Sequence, residues 1–138
     1  MKLTVRPTKR MILINELNAK HFPSNPITNT HNKTFFLAKM GKTVVGWCAL
    51  TIHPYEKAEI YRTGVIEEFR NRGIKKRMVR AMERYAVKQG ITLMTSYCST
   101  DNMESANSLI SSGYKMYMPD VYDEGDHRDW ICWRKRLK

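Results

Sequence analysis

The stretch from residue 58 to 78, AEIYRTGVIEEFRNRGIKKRM, constrains the fold most, because its hydrophobic period changes in the middle. β-Branched and aromatic residues up to Val65 predict a strand, whereas the apolar residues from Ile74 onward recur at the spacing of one helix face. The helical positions are Ile74, Met78, Met82, Tyr85 and Ala86. A strand therefore runs into an amphipathic helix through a turn that contains Gly73.

This turn is strongly basic. Residues 70–77, RNRGIKKR, include five basic side chains and one glycine at the predicted start of the helix. The first N–H groups of a helix have no intrahelical partner and carry the positive end of the helix dipole, so the turn predicts an anion site. The alternative interpretation is a solvated run of charge on the surface.

Size and composition indicate one globular domain over residues 1–138, with 42% hydrophobic and 27% charged residues. No apolar run approaches the roughly 18 to 20 residues that span a bilayer, and the amino terminus does not resemble a signal peptide. We therefore expect a soluble, cytoplasmic protein without a membrane partner. The sequence leaves a homodimer open.

The three cysteines, Cys48, Cys98 and Cys132, are odd in number, lie far apart and fall in strand-like runs. This pattern indicates reduced core residues rather than disulfides or nucleophiles. No pair of histidine and cysteine has the spacing of metal ligands, so we predict no metal site.

The formal net charge of +11 predicts either a polyanionic ligand or a polyanionic partner. Aromatic residues such as Trp47, Tyr55 and Trp133 would suit a nucleic-acid binder, whose affinity falls steeply with salt. The sequence contains no nucleic-acid-binding motif, which makes this interpretation the weaker one.

Seven strands and three helices are predicted in the order β, α, β, β, β, α, β, α, β, β. Pro7 should end the first strand, and Thr8 should cap a first helix that stops before Pro23. Thr100 or Asp101 should cap the last helix, in which Ala106, Leu109 and Ile110 share a face. The predicted strands are residues 2–6, 34–38, 44–50, 58–65, 91–98, 114–118 and 130–137. Gly90 and Gly113 should end the second and third helices.

Two motifs in this order resemble the GNAT superfamily of acetyl-CoA-dependent N-acetyltransferases. The family's central motif is a strand, then Arg/Gln-x-x-Gly-x-Gly/Ala, then a helix, and Arg70 and Gly73 match it. Lys75 departs from it, because the family prefers glycine or alanine there. The preceding strand matches at Glu59 and Val65.

The second motif lies in the last helix. Many GNAT proteins have Asn-x-x-Ser/Ala followed after seven residues by Gly-Phe/Tyr, and this chain reproduces that spacing. The matching positions are Asn102, Ser105, Gly113 and Tyr114. The family often places a tyrosine seven residues after the asparagine to protonate the departing thiolate. In this chain that position is Leu109, which cannot donate a proton.

The resemblance implies a mixed α/β (α+β) fold. Its central, mostly antiparallel mixed sheet would have about seven strands, be flanked by helices, and splay in a V between the fourth and fifth strands. Acetyl-CoA would be the co-substrate, with Val65 N–H facing its thioester carbonyl and its pyrophosphate lying at the basic turn. The implied coenzyme contacts are Val65, Ile66, Arg70, Asn71, Arg72, Gly73, Ile74, Lys75, Lys76 and Asn102.

The activity implied is N-acetyl transfer to a primary amine of a small molecule or a protein. Such an amine must lose a proton before it attacks, and the resemblance places Glu59 as the base. His53 is a weaker candidate, suggested by the intrinsic pKa of histidine. The acidic connection from 119 to 129 is either a solvated turn or, as the resemblance implies, a border of the acceptor pocket that attracts the amine. Two alternatives remain: a catalytically silent acyl-CoA-binding module, suggested by Leu109 and Lys75, and the nucleic-acid binder.

Overall fold

The structure, a computed structural model, describes residues 2–118 and 130–137. The order of its helices and strands confirms the predicted order. The strands are β1 (Leu3–Thr8), β2 (Lys33–Met40), β3 (Thr43–His53), β4 (Lys57–Val65), β5 (Leu93–Ser99), β6 (Lys115–Tyr117) and β7 (Trp130–Arg136). The helices are α1 (Met11–His21), α2 (Ile74–Lys88) and α3 (Met103–Ser111), and a short 3-10 helix spans Glu67–Phe69.

All seven strands belong to one sheet, in the order β1-β2-β3-β4-β5-β7-β6. Every neighbouring pair is antiparallel except β4 with β5, which are parallel. The parallel pair includes only the start of β4, up to Glu59 opposite Thr95, although β4 continues to Val65. The predicted mixed sheet and the divergence of its fourth and fifth strands are therefore confirmed.

Side chains alternate between the two faces of the sheet and form two cores. The larger core joins the sheet to α2 and α3, and the smaller one joins it to α1. The larger core includes Phe36, Cys48, Leu50, Met78, Met82, Met94, Ala106 and Leu109. The smaller core consists of Ile14, Leu17, Phe35, Leu37, Trp47 and Ala49. The apolar residues that recur along α2 in the sequence are those that contact the sheet in the larger core.

The start of the chain differs from the prediction. Pro7 lies inside β1, opposite Phe36, rather than ending the strand. A proline is tolerated there because β1 is an edge strand, where a missing N–H need not break the sheet. Thr8 does not cap α1 either, since its Oγ1 accepts a hydrogen bond from the Arg10 N–H at 3.2 Å and the helix begins at Met11.

The cap of α3 was also predicted wrongly. Asn102, not Thr100 or Asp101, is its N-cap, and its Oδ1 accepts a hydrogen bond from Ser105 N–H at 3.0 Å. Asparagine is a strong N-cap because its short side chain reaches a free N–H of the first turn. Ile110, predicted to share the buried face, is 58% exposed.

The cysteines agree with the prediction of reduced core residues, since all three are free, with Cys48 and Cys98 buried and Cys132 partly exposed. Burial raises the pKa of the Cys48 thiol, which makes this residue inert as a nucleophile. Among the described helices, none is long and apolar enough to cross a membrane. The acidic connection 119–129 lies outside the described residues.

Candidate functional site

A gap opens beside β4 where its pairing with β5 stops, and a β-bulge shapes this part of the strand. Opposite β3, Ala49 pairs with Arg62 and Leu50 with Ile60, which leaves Tyr61 as the extra residue. A bulge turns two successive side chains toward one face. Arg62 accordingly reaches the α1 side, where its Nη1 donates to Asn18 Oδ1 at 2.8 Å.

The backbone beyond the bulge points into the gap. Ile66 N–H donates to Val45 O at 2.9 Å. In an antiparallel ladder such a bond flanks a non-hydrogen-bonded pair, which here is Gly46 with Val65. The N–H and C=O of Val65 therefore point away from β3, toward the side where β5 has diverged. Thr63, two residues earlier on β4, has the same orientation because pair types alternate along an antiparallel ladder.

The Val65 carbonyl is held by two side chains. It accepts hydrogen bonds from His21 Nε2 and from Arg70 Nε, both at 3.1 Å. Each ring nitrogen of His21 faces a carbonyl, which can only accept, because Nδ1 also lies 2.9 Å from Leu17 O. The nitrogen that carries the proton is therefore the donor in each contact, and Trp47 Nε1 lies 3.4 Å from Nδ1.

Gly64 allows this arrangement because the imidazole packs against its α-carbon. A Cβ at Gly64 would lie 2.7 Å from Trp47 Nε1 and 3.1 Å from the His21 ring. No side chain fits there without displacing one of these groups. The carboxyl end of α1 is therefore fixed against the β4 wall of the gap.

The basic turn leads from the gap into α2. Gly73 is the N-cap of α2 and has a left-handed φ of +74°, as has Asn71 with φ +63°. A Cβ at Gly73 would meet nothing within 4 Å, so the backbone conformation, not space, favours glycine. Burial lowers the pKa of Lys75 beside this turn, and the nearby carboxylate of Glu104 opposes that shift.

A pocket of about 520 Å³ joins the gap to this turn. Seven predicted coenzyme contacts line it: Val65, Arg70, Asn71, Gly73, Ile74, Lys75 and Lys76. Its other lining residues were not predicted: His21, Phe22, Thr63, Gly64, Phe69, Glu104 and Ser108. Thr63, Gly64 and Phe69 could have been found from the sequence, because they are close neighbours of Val65 and Arg70 along the chain. The remaining four, His21, Phe22, Glu104 and Ser108, come from elements that only tertiary folding brings to β4.

Three predicted coenzyme contacts do not line this pocket. The Ile66 N–H is bonded to Val45 O and faces β3, and its side chain packs against the α1-side core. Arg72 stacks over the Phe69 ring at 5.4 Å. Asn102 caps α3. Their predicted contacts with the coenzyme stay predictions.

Glu59 is the last β4 residue paired with β5, at the point where the gap begins. Its Oε1 lies 3.3 Å from His53 Nε2, so the two candidate bases are neighbours. Tyr97 of β5 lies on the same face, two residues beyond Thr95, and is 43% exposed. The pKa of Tyr97 is raised, chiefly by burial of its hydroxyl and further by its contact with Tyr117 and the charge of Glu59. The hydroxyl of Tyr97 therefore stays protonated.

Leu109 is 6% exposed and belongs to the core between the sheet, α2 and α3. The α3 residues that line the pocket are instead Glu104 and Ser108. The described part of α3 therefore presents no phenol to the gap. This agrees with the sequence, in which leucine replaces the tyrosine of many relatives.

Comparison with known proteins identifies the family. The profile of the Acetyltransferase (GNAT) family matches residues 6–114. An uncharacterized N-acetyltransferase from Chlorobaculum tepidum is 36% identical over 61 residues, 44% of this chain. The match spans only 39% of the length of that relative.

Solved structures show the same fold. An acetyltransferase from Bacillus subtilis in complex with CoA is 18% identical, with a TM-score of 0.82 over 99% of this chain and 100% of that chain. A GNAT family acetyltransferase from Elizabethkingia anophelis with acetyl-CoA bound is 18% identical, with a TM-score of 0.81 over 98% of each chain. Because the family profile covers most of the sequence, the chain belongs to the GNAT acetyltransferase family.

Proposed function

We propose that the protein is an N-acetyltransferase that transfers the acetyl group of acetyl-CoA to a primary amine by direct attack. The observation that carries this proposal is the gap beside β4. The Val65 backbone faces into it, and it continues into the amino-terminal end of α2. Two proteins of similar fold were solved with CoA or acetyl-CoA, which supports the choice of acyl donor.

The basic turn suits the pyrophosphate of the coenzyme. The N–H groups at the start of α2 and the side chains of Arg70, Lys75 and Lys76 line one pocket, so hydrogen bonds and positive charge converge there. Lys75 fits this role despite its departure from the family motif. Burial lowers its pKa in the protein alone, and a bound phosphate would favour the charged form.

The transfer itself requires a base for the amine and a hydrogen-bond donor for the thioester oxygen. Glu59 accepts the proton of the amine, directly or through a water, and the nitrogen then forms a bond to the acetyl carbon. Val65 N–H donates to the carbonyl oxygen as negative charge develops on it; loss of one such donor costs on the order of 3 kcal/mol in other enzymes. The bond from carbon to sulfur then breaks, the nitrogen releases its second proton, and the departing thiolate takes up one proton.

One observation favours a second candidate, an acyl-CoA-binding module without turnover. Leu109 is buried in the core, and the described residues of α3 offer no phenol for the departing thiolate. A thiol has a pKa of about 8.5, so its thiolate can leave without an acid. We therefore expect slow but real transfer.

The proposal is tested by titrating acetyl-CoA calorimetrically and assaying acetyl transfer to a panel of amines. We expect saturable binding, and we expect Gly73→Asp to weaken it at least about tenfold because the carboxylate repels the phosphates. Gly73→Asn is the matched control, since asparagine has the same shape, is neutral and tolerates positive φ. It should lose much less affinity.

Absence of saturable acetyl-CoA binding at millimolar concentration would contradict both candidates. Equal affinities of the aspartate and asparagine variants would place the pyrophosphate elsewhere. Tight binding without transfer to any amine would favour the silent module.

A further inference from the structure

One face of the sheet packs against α1, and the part of this face that α1 does not cover carries a group of charged and aromatic residues. The core beneath α1 uses side chains of β2, β3 and β4. Across β4, β5, β7 and β6 the same face includes two neighbouring rows of residues, which the strand registers define. The first row is Glu59, Thr95, Arg134 and Lys115, and the second is Tyr97, Cys132 and Tyr117.

Opposite charges lie at the two sides of this face. Glu59 on β4 and Arg134 on β7 are separated by buried Thr95 on β5, a distance of two strand spacings, about 10 Å. The Arg134 side chain is exposed, and its guanidinium carbon lies 4.8 Å from the centre of the Tyr117 ring. This stacking keeps the guanidinium on the face instead of extended into solvent.

The surface next to these charges is aromatic and neutral. Tyr97 is partly exposed beside Glu59, and it interacts with Tyr117, which lies under Arg134. Together these four residues form a surface with a carboxylate on one side, a guanidinium on the other and two phenol rings at its base. We call it the acceptor face.

We propose that the acceptor is a small molecule that carries a carboxylate as well as its amine, as an amino acid does, and that Arg134 binds the carboxylate. This inference rests on the proposed function, because it assigns the amine to Glu59. Arginine suits the role because its planar fork can bind a carboxylate through two parallel hydrogen bonds. The same charge disfavours a polyamine, whose second cation would approach Arg134, and a peptide, whose amine has no carboxylate nearby.

The inference is tested first by binding, which needs no turnover. Alanine and leucine, their α-carboxamides and 1,4-diaminobutane are titrated into the protein saturated with CoA. We expect each acid to bind at least about tenfold more tightly than its amide, the size of a hydrogen bond to a charged group. The diamine should bind most weakly.

Variants then assign the preference to Arg134. Arg134→Gln should abolish the preference for the acid over the amide, while affinity for the amides stays unchanged. Arg134→Lys keeps the charge but loses the fork, so it should retain part of the preference. Arg136→Gln is the matched control, because Arg136 lies on the same strand and face, two residues from Arg134 and farther from Tyr117. It should bind all ligands like the parent protein.

The same ligands serve as acceptors in a transfer assay. The α-amine of an amide loses its proton more readily than that of the acid, so intrinsic reactivity favours the amide. A higher kcat/KM for the acid than for its amide would support the proposal. Arg134→Gln should remove this difference by raising the KM of the acid. Equal binding of acids and amides, or equal effects of the Arg134 and Arg136 variants, would overturn it. The proposed function fails separately, if acetyl-CoA does not bind or no amine at all is acetylated.

Discussion

At the scale of single residues, the candidate site combines side chains that hold backbone groups with two candidate bases. Glu59 lies where the sheet divides and is paired with His53, so a carboxylate and an imidazole lie together where the gap begins. A pair of this kind can pass a proton onward after the carboxylate has accepted it.

Removing the basicity of Glu59 without changing its shape tests its role. We expect Glu59→Gln to lower kcat by about 10²- to 10⁴-fold near neutral pH. The deficit should shrink as pH rises toward the amine pKa near 10, because the free amine then forms without a base. A pH profile of kcat measures this. Glu67→Gln, at an exposed position after β4, is the control, and a Glu59→Gln profile that follows the parent would rule the assignment out.

His21 contacts the Val65 carbonyl, so under the proposed function it acts as a positioning residue for the β4 backbone in the gap. We expect His21→Ala to raise the Kd of acetyl-CoA by on the order of tenfold, the effect of losing a hydrogen bond at a preorganised site. His21→Gln should recover part of this affinity, because its amide can donate to the same carbonyl.

Calorimetry and thermal unfolding distinguish this role from a purely structural one. Lys20→Ala, at the exposed neighbouring position, should change neither affinity nor Tm. If His21→Ala lowers Tm but binds acetyl-CoA like the parent, the histidine only anchors α1.

At the scale of elements, α3 contributes packing more than chemistry. Leu109 lies in the core, so adding a phenol at this position inserts atoms into a filled space. We expect Leu109→Tyr to reduce the free energy of unfolding by about 1–3 kcal/mol and not to raise kcat. Chemical denaturation and a transfer assay measure these two quantities.

The next residue provides the control for this prediction. Ile110 is mostly exposed, so Ile110→Tyr should leave stability within about 0.5 kcal/mol of the parent. A stable Leu109→Tyr variant with raised kcat would show that the phenol enters the gap.

At the scale of the whole molecule, the basic residues that give the chain its net charge of +11 have several roles. Lys135, in the basic run at the end of β7, donates to Glu83 Oε1 at 3.0 Å and to Ser112 O at 2.9 Å, so it joins β7 to α2 and α3. Arg62 binds α1 and stacks over Tyr61. Part of the positive charge therefore stabilises the fold, and the charge alone is weak evidence for a nucleic-acid partner.

The sequence by itself determined the order of the elements, the basic turn with Gly73 and the positions of Glu59 and Val65. These features depend on the local period of apolar residues, on backbone conformation and on motif spacing, and all three are determined by residues close together in the sequence. It misplaced Pro7 and the cap of α3, because strand edges and caps depend on which groups lie nearby in the folded chain.

Only the tertiary structure decided which groups meet at the site. His21 and Val65 are 44 residues apart, and Arg134 faces Glu59 only because β7 lies next to β5 in the sheet. Strand order and register arise from long-range pairing, and a shift of one residue would turn each of these side chains to the other face. No local pattern contains that information, so neither the contact of His21 with the Val65 carbonyl nor the acceptor face could have been predicted from the sequence.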